Sequence, residues 1–309
     1  MENIQIIGNG RYLPALKIGN AELEKKFNVE EGYILKRTGI STRYYKTNDN
    51  ICDMAYKASK NAIEDAKIDV KDIGLIIVAT TSTNTLMPGI SYYIQKEFNI
   101  EKCICLDILA GCAGYINAFD IAKLYIDARK VENALIVGVD VLSECTDDED
   151  INTKIILSDG AGATIIKRTK KNKLYSSNIQ SDGQNGEILT YKTNEKIKMD
   201  GKAIYKYAVT ETVKNIEELL EQTELKIEDI KYIIPHQSNI KIMKSIATKL
   251  NIPMDKMYTN INEVGNTFCA SIPIALTQMY EKGLLNDGDK VILIGYGGGL
   301  NTASILLEI

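Results

Sequence analysis

The sequence is poor in histidine and lacks the cysteine spacing of the common zinc sites. His236 is the only histidine among 309 residues, and none of the six cysteines belongs to a CxxC pair. The common zinc sites built from cysteine and histidine need four such ligands, most of them at short spacing. The composition therefore argues against those metal sites. It predicts free thiols, as in a protein of the reducing cytoplasm.

The sequence also lacks an excess of positive charge and a long apolar run. Its net charge is −4, so no overall basic field would attract nucleic acid or an anionic membrane. Its apolar runs are far shorter than the roughly 20 residues that span a bilayer. The first residues, MENIQIIGNGRYLP, contain no basic segment followed by a long apolar one. We therefore expect neither a nucleic-acid partner nor a membrane partner.

Predicted buried strands alternate with predicted helices along the chain. Apolar, β-branched runs that read as strands lie at 74–82, 133–141, 231–238 and 290–297, and helical spacing is found at 115–130 and 271–283. Near-continuous apolar strands separated by helices are typical of a parallel or mixed sheet that is covered on both faces. The predicted fold class is therefore α/β.

The pattern of apolar positions occurs twice. VKDIGLII at 70–77 aligns with IEDIKYII at 227–234, and ALIVG at 134–138 aligns with VILIG at 291–295. The offset is 157 residues in both alignments. Few identities are shared, but the apolar positions match. We infer two copies of one α/β unit, which pack as pseudo-equivalent halves.

The two copies imply a division of the chain. The polar stretch at 167–178 is the expected joint, which gives an N-terminal half at 1–168 and a C-terminal half at 169–309. The segment at 181–201 is rich in turn-forming residues. We expect it to leave the core as an excursion.

The offset also brings polar side chains together. Cys112 in LAGCAGY corresponds to position 269 in GNTFCAS, and both positions lie between a strand and the following helix. His236 in IIPHQSN ends the inner strand of the second copy. Strand ends are where ligands bind in α/β sheets. If the halves pack around a pseudo-twofold axis, these positions converge.

Cys112 and His236 each allow a structural and a chemical interpretation. Glycines flank Cys112, and a cysteine at a helix start has a lowered pKa and backbone N–H groups able to hold an oxyanion. A small buried residue at a helix start explains Cys112 equally well. A buried histidine is usually structural, but His236 is the only one and is followed by polar residues. Asn266 beside a neutral histidine would complete a pair of hydrogen-bond donors for a developing negative oxygen.

At these residues the sequence resembles the β-ketoacyl-acyl-carrier-protein synthase III family, which has the thiolase fold. The resemblance rests on Cys112 in DILAGCAG, His236 in PHQSN, Asn266 in GNTFCASIP and the terminal GYGGGLNTAS. SDGAGA, RTGI and TTSTNTLMPG add to it, so that it spans nearly the whole chain. It implies two duplicated α/β halves in an αβαβα layered architecture, which agrees with the repeat.

The resemblance implies a reaction and roles for these residues. Cys112 would take an acyl group from acyl-CoA as a thioester. Malonyl-acyl-carrier protein would then lose CO₂ and attack this acyl group, which starts a fatty-acid chain. His236 and Asn266 would hold the enolate oxygen, and the N–H groups of Cys112 and Gly298 would form an oxyanion hole. Coenzyme A enters as a thioester substrate, with no metal and no permanently bound cofactor.

The resemblance also implies a tunnel shared by CoA and the carrier's phosphopantetheine, a homodimer and a docking patch. The matching tunnel positions are Tyr33, Arg37, Met199, Gly201, Tyr205, Ala208 and Asn239. Lys241, Lys206 and Lys249 would bind the acidic carrier protein. Met87 would close the acyl pocket from across the dimer.

Three positions depart from well-known members of the family. Ile151 replaces an arginine that contacts CoA, and it lies in the acidic stretch ECTDDEDIN. Tyr33 replaces a tryptophan that stacks on adenine, which leaves less stacking area. Met87 replaces a phenylalanine, and a flexible methionine would admit a longer or branched primer.

Other functions stay open at this point. A relative with the same site would make a specialised metabolite or only transfer an acyl group, and Ile151 favours this reading. A papain-like cysteine hydrolase also uses Cys, His and Asn in this chain order, but it predicts a mostly β second half. A non-catalytic binding subunit would have no chemical need for Cys112, His236 and Asn266.

Overall fold

The computed structural model describes residues 2–192 and 194–309. The strands in these ranges are β1 (Asn3–Tyr12), β2 (Leu16–Gly19), β3 (Thr42–Tyr45), β4 (Leu75–Ala79), β5 (Ile104–Ile108), β6 (Asn133–Asp140), β7 (Gly160–Thr169), β8 (Tyr175–Ser181), β9 (Leu189–Thr190), β10 (Lys198–Met199), β11 (Tyr232–Pro235), β12 (Lys290–Gly297) and β13 (Asn301–Glu308). The helices are α1 (Asn20–Lys26), α2 (Tyr33–Thr38), α3 (Ile51–Ala66), α4 (Ile90–Glu97), α5 (Gly114–Asp127), α6 (Ile151–Lys154), α7 (Gly201–Thr223), α8 (Ile240–Lys249), α9 (Ile261–Val264) and α10 (Ser271–Glu281).

The two larger sheets share one strand order over four strands, and the first sheet has β5 as an additional edge strand. The first has the order β1-β7-β6-β4-β5, and the second has the order β8-β13-β12-β11. In each, the two strands predicted from apolar runs lie side by side and parallel, β4 with β6 and β11 with β12. The predicted duplication is thus confirmed. It contradicts the papain-like alternative, which requires a mostly β second half.

Helices and sheets stack in five layers. α5 and α10 lie between the two sheets, where the main core cluster joins residues of both sheets, such as Ile77 and Leu293. α3 and α4 cover the outer face of the first sheet, and α7 and α8 cover that of the second. Successive strand residues point to opposite faces, so Ile77 meets the central helices while Ile76 meets α3 and α4. This is the αβαβα architecture expected from the sequence.

The two sheets draw on separate parts of the chain. The strands of the first lie within 3–169 and those of the second within 175–308. A division into halves at residue 168 stays a prediction. The segment at 181–201 leaves the second sheet and forms the small β9–β10 hairpin, as expected for an excursion. Among the described residues, no helix combines the length and apolar character needed to cross a membrane.

Candidate active site

Cys112 sits in a tight turn that leads into α5. This turn is a single 3₁₀ turn at Gly111–Ala113, and α5 follows it directly. Gly111 has φ +55°, and a Cβ at this position would lie 2.3 Å from the carbonyl oxygen of Gly298. Only glycine fits such a conformation and approach. The turn therefore places Cys112 against the end of β12. Cys112 is only 3% exposed there.

The surroundings of Cys112 keep its thiol protonated. Burial raises the pKa of this thiol well above its ordinary value, and the negative charge of Asp140 raises it further. Hydrogen bonding by the backbone N–H groups of Gly298 and Cys112 lowers the pKa, but by less. The prediction of a lowered thiol pKa is therefore wrong, because desolvation and the charge of Asp140 outweigh the hydrogen bonds of these two N–H groups.

The same two N–H groups make a donor pair next to the sulfur. Both act on the thiol of Cys112, and a Cβ at Gly297 would lie 2.9 Å from this sulfur. The end of β12 and the start of α5 thus lie on two sides of the Cys112 sulfur. Two donors aimed at one point are what an oxyanion hole requires. The assignment of Cys112 and Gly298 to an oxyanion hole stays a prediction.

His236 lies just past the end of β11 and is buried. Its backbone N–H donates to the carbonyl of Ile294 at 2.8 Å, and its Nδ1 is 2.7 Å from Oγ of Ser271. The imidazole meets the ring of Tyr296 at 71°, with centroids 5.4 Å apart. Burial lowers the pKa of His236 to about 3. The ring is therefore neutral at pH 7, as expected from the sequence.

Asn266 is fixed by its backbone and by its own amide oxygen. Its N–H donates to Ile156, and its carbonyl accepts from Ser158. Its Oδ1 accepts the N–H of Phe268 at 3.1 Å. This contact assigns the amide orientation, because the oxygen faces the backbone donor and the NH₂ group faces the other way. Asn266 also lines the larger cavity described below.

Two adjoining cavities lead to Cys112. The smaller, about 220 Å³, is lined by Cys112, Gly298 and Leu109 among others. The larger is about 820 Å³. Residues that line both cavities are Leu189, Ile197 and Phe268. A substrate in the larger cavity would therefore reach the thiol past these three apolar side chains.

Five of the seven predicted tunnel residues line the larger cavity: Arg37, Met199, Gly201, Tyr205 and Asn239. Lys241 lines it as well. Tyr33 does not, because it packs in an apolar cluster with Ile151, and the Arg37 guanidinium lies 5.1 Å from the centroid of its ring. Ala208 is also absent from this lining. It is fully buried on α7, within the core under the second sheet.

The predicted docking lysines are exposed on two neighbouring helices. Lys206 lies on α7, and Lys241 and Lys249 lie on α8. A hydrogen bond of 2.6 Å between Tyr205 and Ser245 joins the two helices. Of the three lysines, Lys241 lines the larger cavity, and a common docking patch of Lys206, Lys241 and Lys249 stays a prediction.

Met87 lies outside both cavities of the single chain. It is 87% exposed, and its neighbour Leu86 is exposed to the same extent. Leu109, at the end of β5, is also exposed. β5 is the edge of the first sheet and pairs only with β4 among the described strands. This surface is apolar and carries an open strand edge.

Sequence reasoning did not single out several residues of the site. Asp140 is fully buried and accepts the N–H groups of Thr81 and Cys269, so it fixes the loops on either side of Cys112. Phe268 and Ser271 lie inside the GNTFCASIP motif. Their position next to Asn266 in the sequence could have indicated that they lie at the site. Leu189 and Ile197 lie in the segment at 181–201. No local sequence pattern predicts that this segment packs next to Cys112.

The arrangement is suited to acyl transfer through a thiol. The described residues contain no group of three His, Cys, Asp or Glu side chains that could hold a metal ion. A buried thiol has two N–H donors beside it, a neutral imidazole follows β11, and the Asn266 amide lies in the loop between α9 and α10. Such a set can bind a thioester covalently and stabilise a developing negative oxygen.

The chain matches two family profiles. Residues 106–183 match 3-oxoacyl-[acyl-carrier-protein] synthase III, and residues 220–309 match the C-terminal part of the same family. A β-ketoacyl-[acyl-carrier-protein] synthase III of Clostridium beijerinckii is 40% identical over the full length of both chains. The match thus includes both halves of the chain.

Solved structures have the same fold. The 3-oxoacyl-[acyl-carrier-protein] synthase III of Aquifex aeolicus superposes with a TM-score of 0.97 at 35% identity, covering 99% of this chain and 100% of that one. The priming β-ketosynthase of the R1128 polyketide pathway superposes with a TM-score of 0.94 at 26% identity, covering 99% and 96%. The fold, the family profiles and the full-length relatives agree, and the chain belongs to the 3-oxoacyl-[acyl-carrier-protein] synthase III family.

Proposed function

We propose that this enzyme condenses an acyl primer from acyl-CoA with malonyl-acyl-carrier protein, the step that starts fatty-acid synthesis. The observation that carries the proposal is the buried thiol of Cys112 in a small cavity that shares the lining residues Leu189, Ile197 and Phe268 with the larger cavity. This site combines a covalent acceptor with a pocket of about 220 Å³. The pocket would hold the acyl chain, and the larger cavity would hold the phosphopantetheine arm of either donor.

In the first step Cys112 attacks the carbonyl carbon of acyl-CoA. The new bond joins the Cys112 sulfur to the acyl carbon, the bond to the CoA sulfur breaks, and the thiol proton leaves with CoA. The N–H groups of Cys112 and Gly298 would stabilise the oxyanion. Because burial disfavours the Cys112 thiolate, it favours the neutral acyl thioester by comparison.

In the second step malonyl-acyl-carrier protein loses CO₂. The electron pair of the broken carbon–carbon bond forms an enolate, whose oxygen would accept hydrogen bonds from His236 and Asn266. The enolate carbon attacks the acyl-Cys112 carbonyl, and Cys112 leaves as a thiolate that regains a proton. The products are 3-oxoacyl-acyl-carrier protein and CO₂. Both steps are redox-neutral, so the proposal requires no permanently bound cofactor.

Two exposed surfaces support the proposed protein partners. Lys206, Lys241 and Lys249 would dock the acidic carrier protein beside the larger cavity. The open edge of β5 and the exposed Met87 would pair with a second copy, which gives a homodimer with a continuous sheet. We place the enzyme in the cytoplasm, where CoA and carrier thioesters would be its substrates. Light scattering of the purified protein tests the dimer.

Intact-protein mass spectrometry tests the reaction. The enzyme is mixed with single acyl-CoAs, and malonyl-carrier protein is then added. We expect one or more primers to add their acyl mass at Cys112 and malonyl-carrier to discharge it with release of CO₂. Cys112→Ser should gain no stable thioester. Absence of labelling from every acyl-CoA and acyl-carrier thioester would contradict the role of Cys112.

A second candidate is a condensing enzyme or acyltransferase of a specialised pathway. Ile151, an apolar residue in place of a cation, packs against the same cluster as Tyr33. It follows four consecutive acidic residues at 147–150. Both features weaken recognition of the CoA phosphates. In that case Cys112 would be acylated, but malonyl-carrier protein would leave the acyl group in place.

A further inference from the structure

Two cysteines outside the active site lie in contact at the start of β5. Cys103 directly precedes this strand, and Cys105 is its second residue. Their sulfur atoms are 3.6 Å apart, and both residues are partly exposed. This is the one thiol–thiol hydrogen bond in the part of the chain that the structure describes. The catalytic thiol lies beyond the other end of β5, so the pair is a separate feature.

Strand geometry explains why the two thiols meet. Side chains two residues apart on a strand point to the same face. Ile104, which lies between them, packs against the core between the sheets, whereas Cys103 and Cys105 pack against the cluster under α3 and α4. The sulfur of Cys105 also lies 3.4 Å from Oε1 of Gln95 on α4. The pair therefore faces α4, and not the backbone edge of β5 that a second copy would use.

The contact makes one of the two thiols more acidic. The hydrogen bond with Cys105 lowers the pKa of Cys103, although partial burial opposes this effect. The same hydrogen bond, together with burial, raises the pKa of Cys105. Burial raises the pKa of the four other thiols of the chain. Because the thiolate is the reactive form, Cys103 should be the first cysteine to attack a disulfide.

We propose that Cys103 and Cys105 form a modification site, at which a low-molecular-weight disulfide such as oxidised glutathione produces an intrachain disulfide. The Cys103 thiolate attacks one sulfur of the oxidant, the bond between the two oxidant sulfurs breaks, and one thiolate leaves. The Cys105 thiol then loses its proton and attacks the Cys103 sulfur, so that the second thiolate leaves. The cysteine pair is oxidised by two electrons, and the oxidant is reduced to two thiols.

The spacing of the pair makes this disulfide easy to reduce again. A strand advances about 3.3 Å per residue, so that the two Cα atoms would be about 6.6 Å apart in a regular strand. Disulfides span Cα separations of roughly 4.4–6.8 Å, and most span about 5.5–6 Å. Cys103 precedes Ile104, the first residue paired with β4, so its backbone can adjust. A bridge near the upper limit is strained, and strained disulfides are the labile ones.

Thiol counting on the wild-type protein tests the site. The full chain is reduced, separated from the reductant and treated with oxidised glutathione at about pH 8. It is then denatured, its remaining thiols are blocked with N-ethylmaleimide, and its intact mass is measured. We expect four blocked cysteines in place of six and no retained glutathione. An excess of reduced glutathione should return the count to six.

Single variants separate the two roles. Cys105→Ser should retain one glutathione on Cys103, because the attack proceeds but nothing resolves the mixed disulfide. Cys103→Ser should react at least about tenfold more slowly, because the more acidic thiol is removed. Cys52→Ser is the matched control. It removes the remaining partly exposed thiol, and the protein should still lose two thiols on oxidation.

Three results would overturn the proposal. One is a wild-type protein that keeps all six thiols or holds a stable glutathione on Cys103, and this test needs no variant to fold. Another is a disulfide-linked dimer on a non-reducing gel, which would mean that the cysteines pair between two copies. The third is a Cys112→Ser protein that no longer loses two thiols. None of these results depends on enzyme activity, so they are separate from a failure of the proposed condensation.

Discussion

The N–H of Phe268 donates a hydrogen bond to Oδ1 of Asn266 at 3.1 Å, which turns the NH₂ group of this amide away from the backbone. Asn266 also lines the larger cavity. One backbone contact therefore decides that the side chain presents donors, and not an acceptor, to a substrate. An aspartate at position 266 would keep the oxygen that accepts this hydrogen bond and remove only the NH₂ donors.

Asn266→Asp should abolish most of the condensation activity. The carboxylate keeps the acceptor for Phe268 but offers no donor, and its charge repels an enolate. We expect kcat for condensation to fall about 100- to 1,000-fold, as when an oxyanion donor is removed. Steady-state CO₂ release measures it. Acylation of Cys112 by acyl-CoA serves as the control and should persist, and loss of both steps would contradict the assigned role.

The thiol of Cys112 should react as a buried, protonated cysteine. Because burial raises its pKa, the thiolate fraction at pH 7 is small and grows with pH. The rate of alkylation by iodoacetamide, followed by peptide mass, should rise steadily from pH 6 to pH 9. A plateau below pH 8 would show a lowered pKa. Cys112→Ser identifies the signal that belongs to this residue.

His236 should make the protein sensitive to acid. Its pKa falls from the ordinary 6.5 to about 3 in the folded state, so the unfolded state binds the additional proton below pH 6.5. Stability is therefore present above pH 6.5 and is lost as the pH falls toward 3, by about 1.4 kcal/mol per pH unit. Urea denaturation should show wild type losing about 2 kcal/mol more than His236→Asn between pH 6.5 and pH 5.

That comparison removes the contribution of the carboxylates, which both proteins share. His236→Asn should have a lower stability at pH 7 and a flatter pH dependence. Parallel curves for the two proteins would mean that the native imidazole titrates normally, and they would contradict its neutral state.

Phe268 should limit the length of the primer. It lines both cavities and holds a left-handed φ of +44°, which is unusual for an aromatic residue. Phe268→Ala joins the two spaces, so kcat/KM should shift at least about tenfold toward longer acyl-CoAs. Phe98→Ala, which removes a ring that packs on Tyr56, is the matched control. It should lower stability and leave chain-length preference unchanged.

Ile151 should limit the affinity for coenzyme A. It begins α6 and packs against the same apolar cluster as Tyr33, so residue 151 itself offers no positive charge. Ile151→Arg should lower KM for acyl-CoA about three- to tenfold at low salt, and less at high salt. KM for acyl-pantetheine, which lacks the nucleotide, should not change. An equal change for both donors would contradict recognition of the nucleotide at residue 151.

The sequence by itself determined the repeated unit. Near-continuous apolar runs on β4 and β11, at a constant offset, reflect the need of each strand to bury both faces. The same offset indicated that Cys112 and His236 lie at equivalent ends of the two halves. Both patterns depend only on the order and spacing of residues along the chain, so they can be recognised in the sequence without a structure.

Only the tertiary structure decided the electrostatics and the shape of the site. A helix start alone predicts a lowered pKa for Cys112, but the depth of burial and the carboxylate of Asp140 reverse this. The contact of Ser271 with His236, the amide orientation of Asn266 and the position of Phe268 between two cavities join parts of the chain that share no periodic pattern. Desolvation and hydrogen-bond pairing depend on the complete set of neighbours, which the chain acquires only when its two halves pack together.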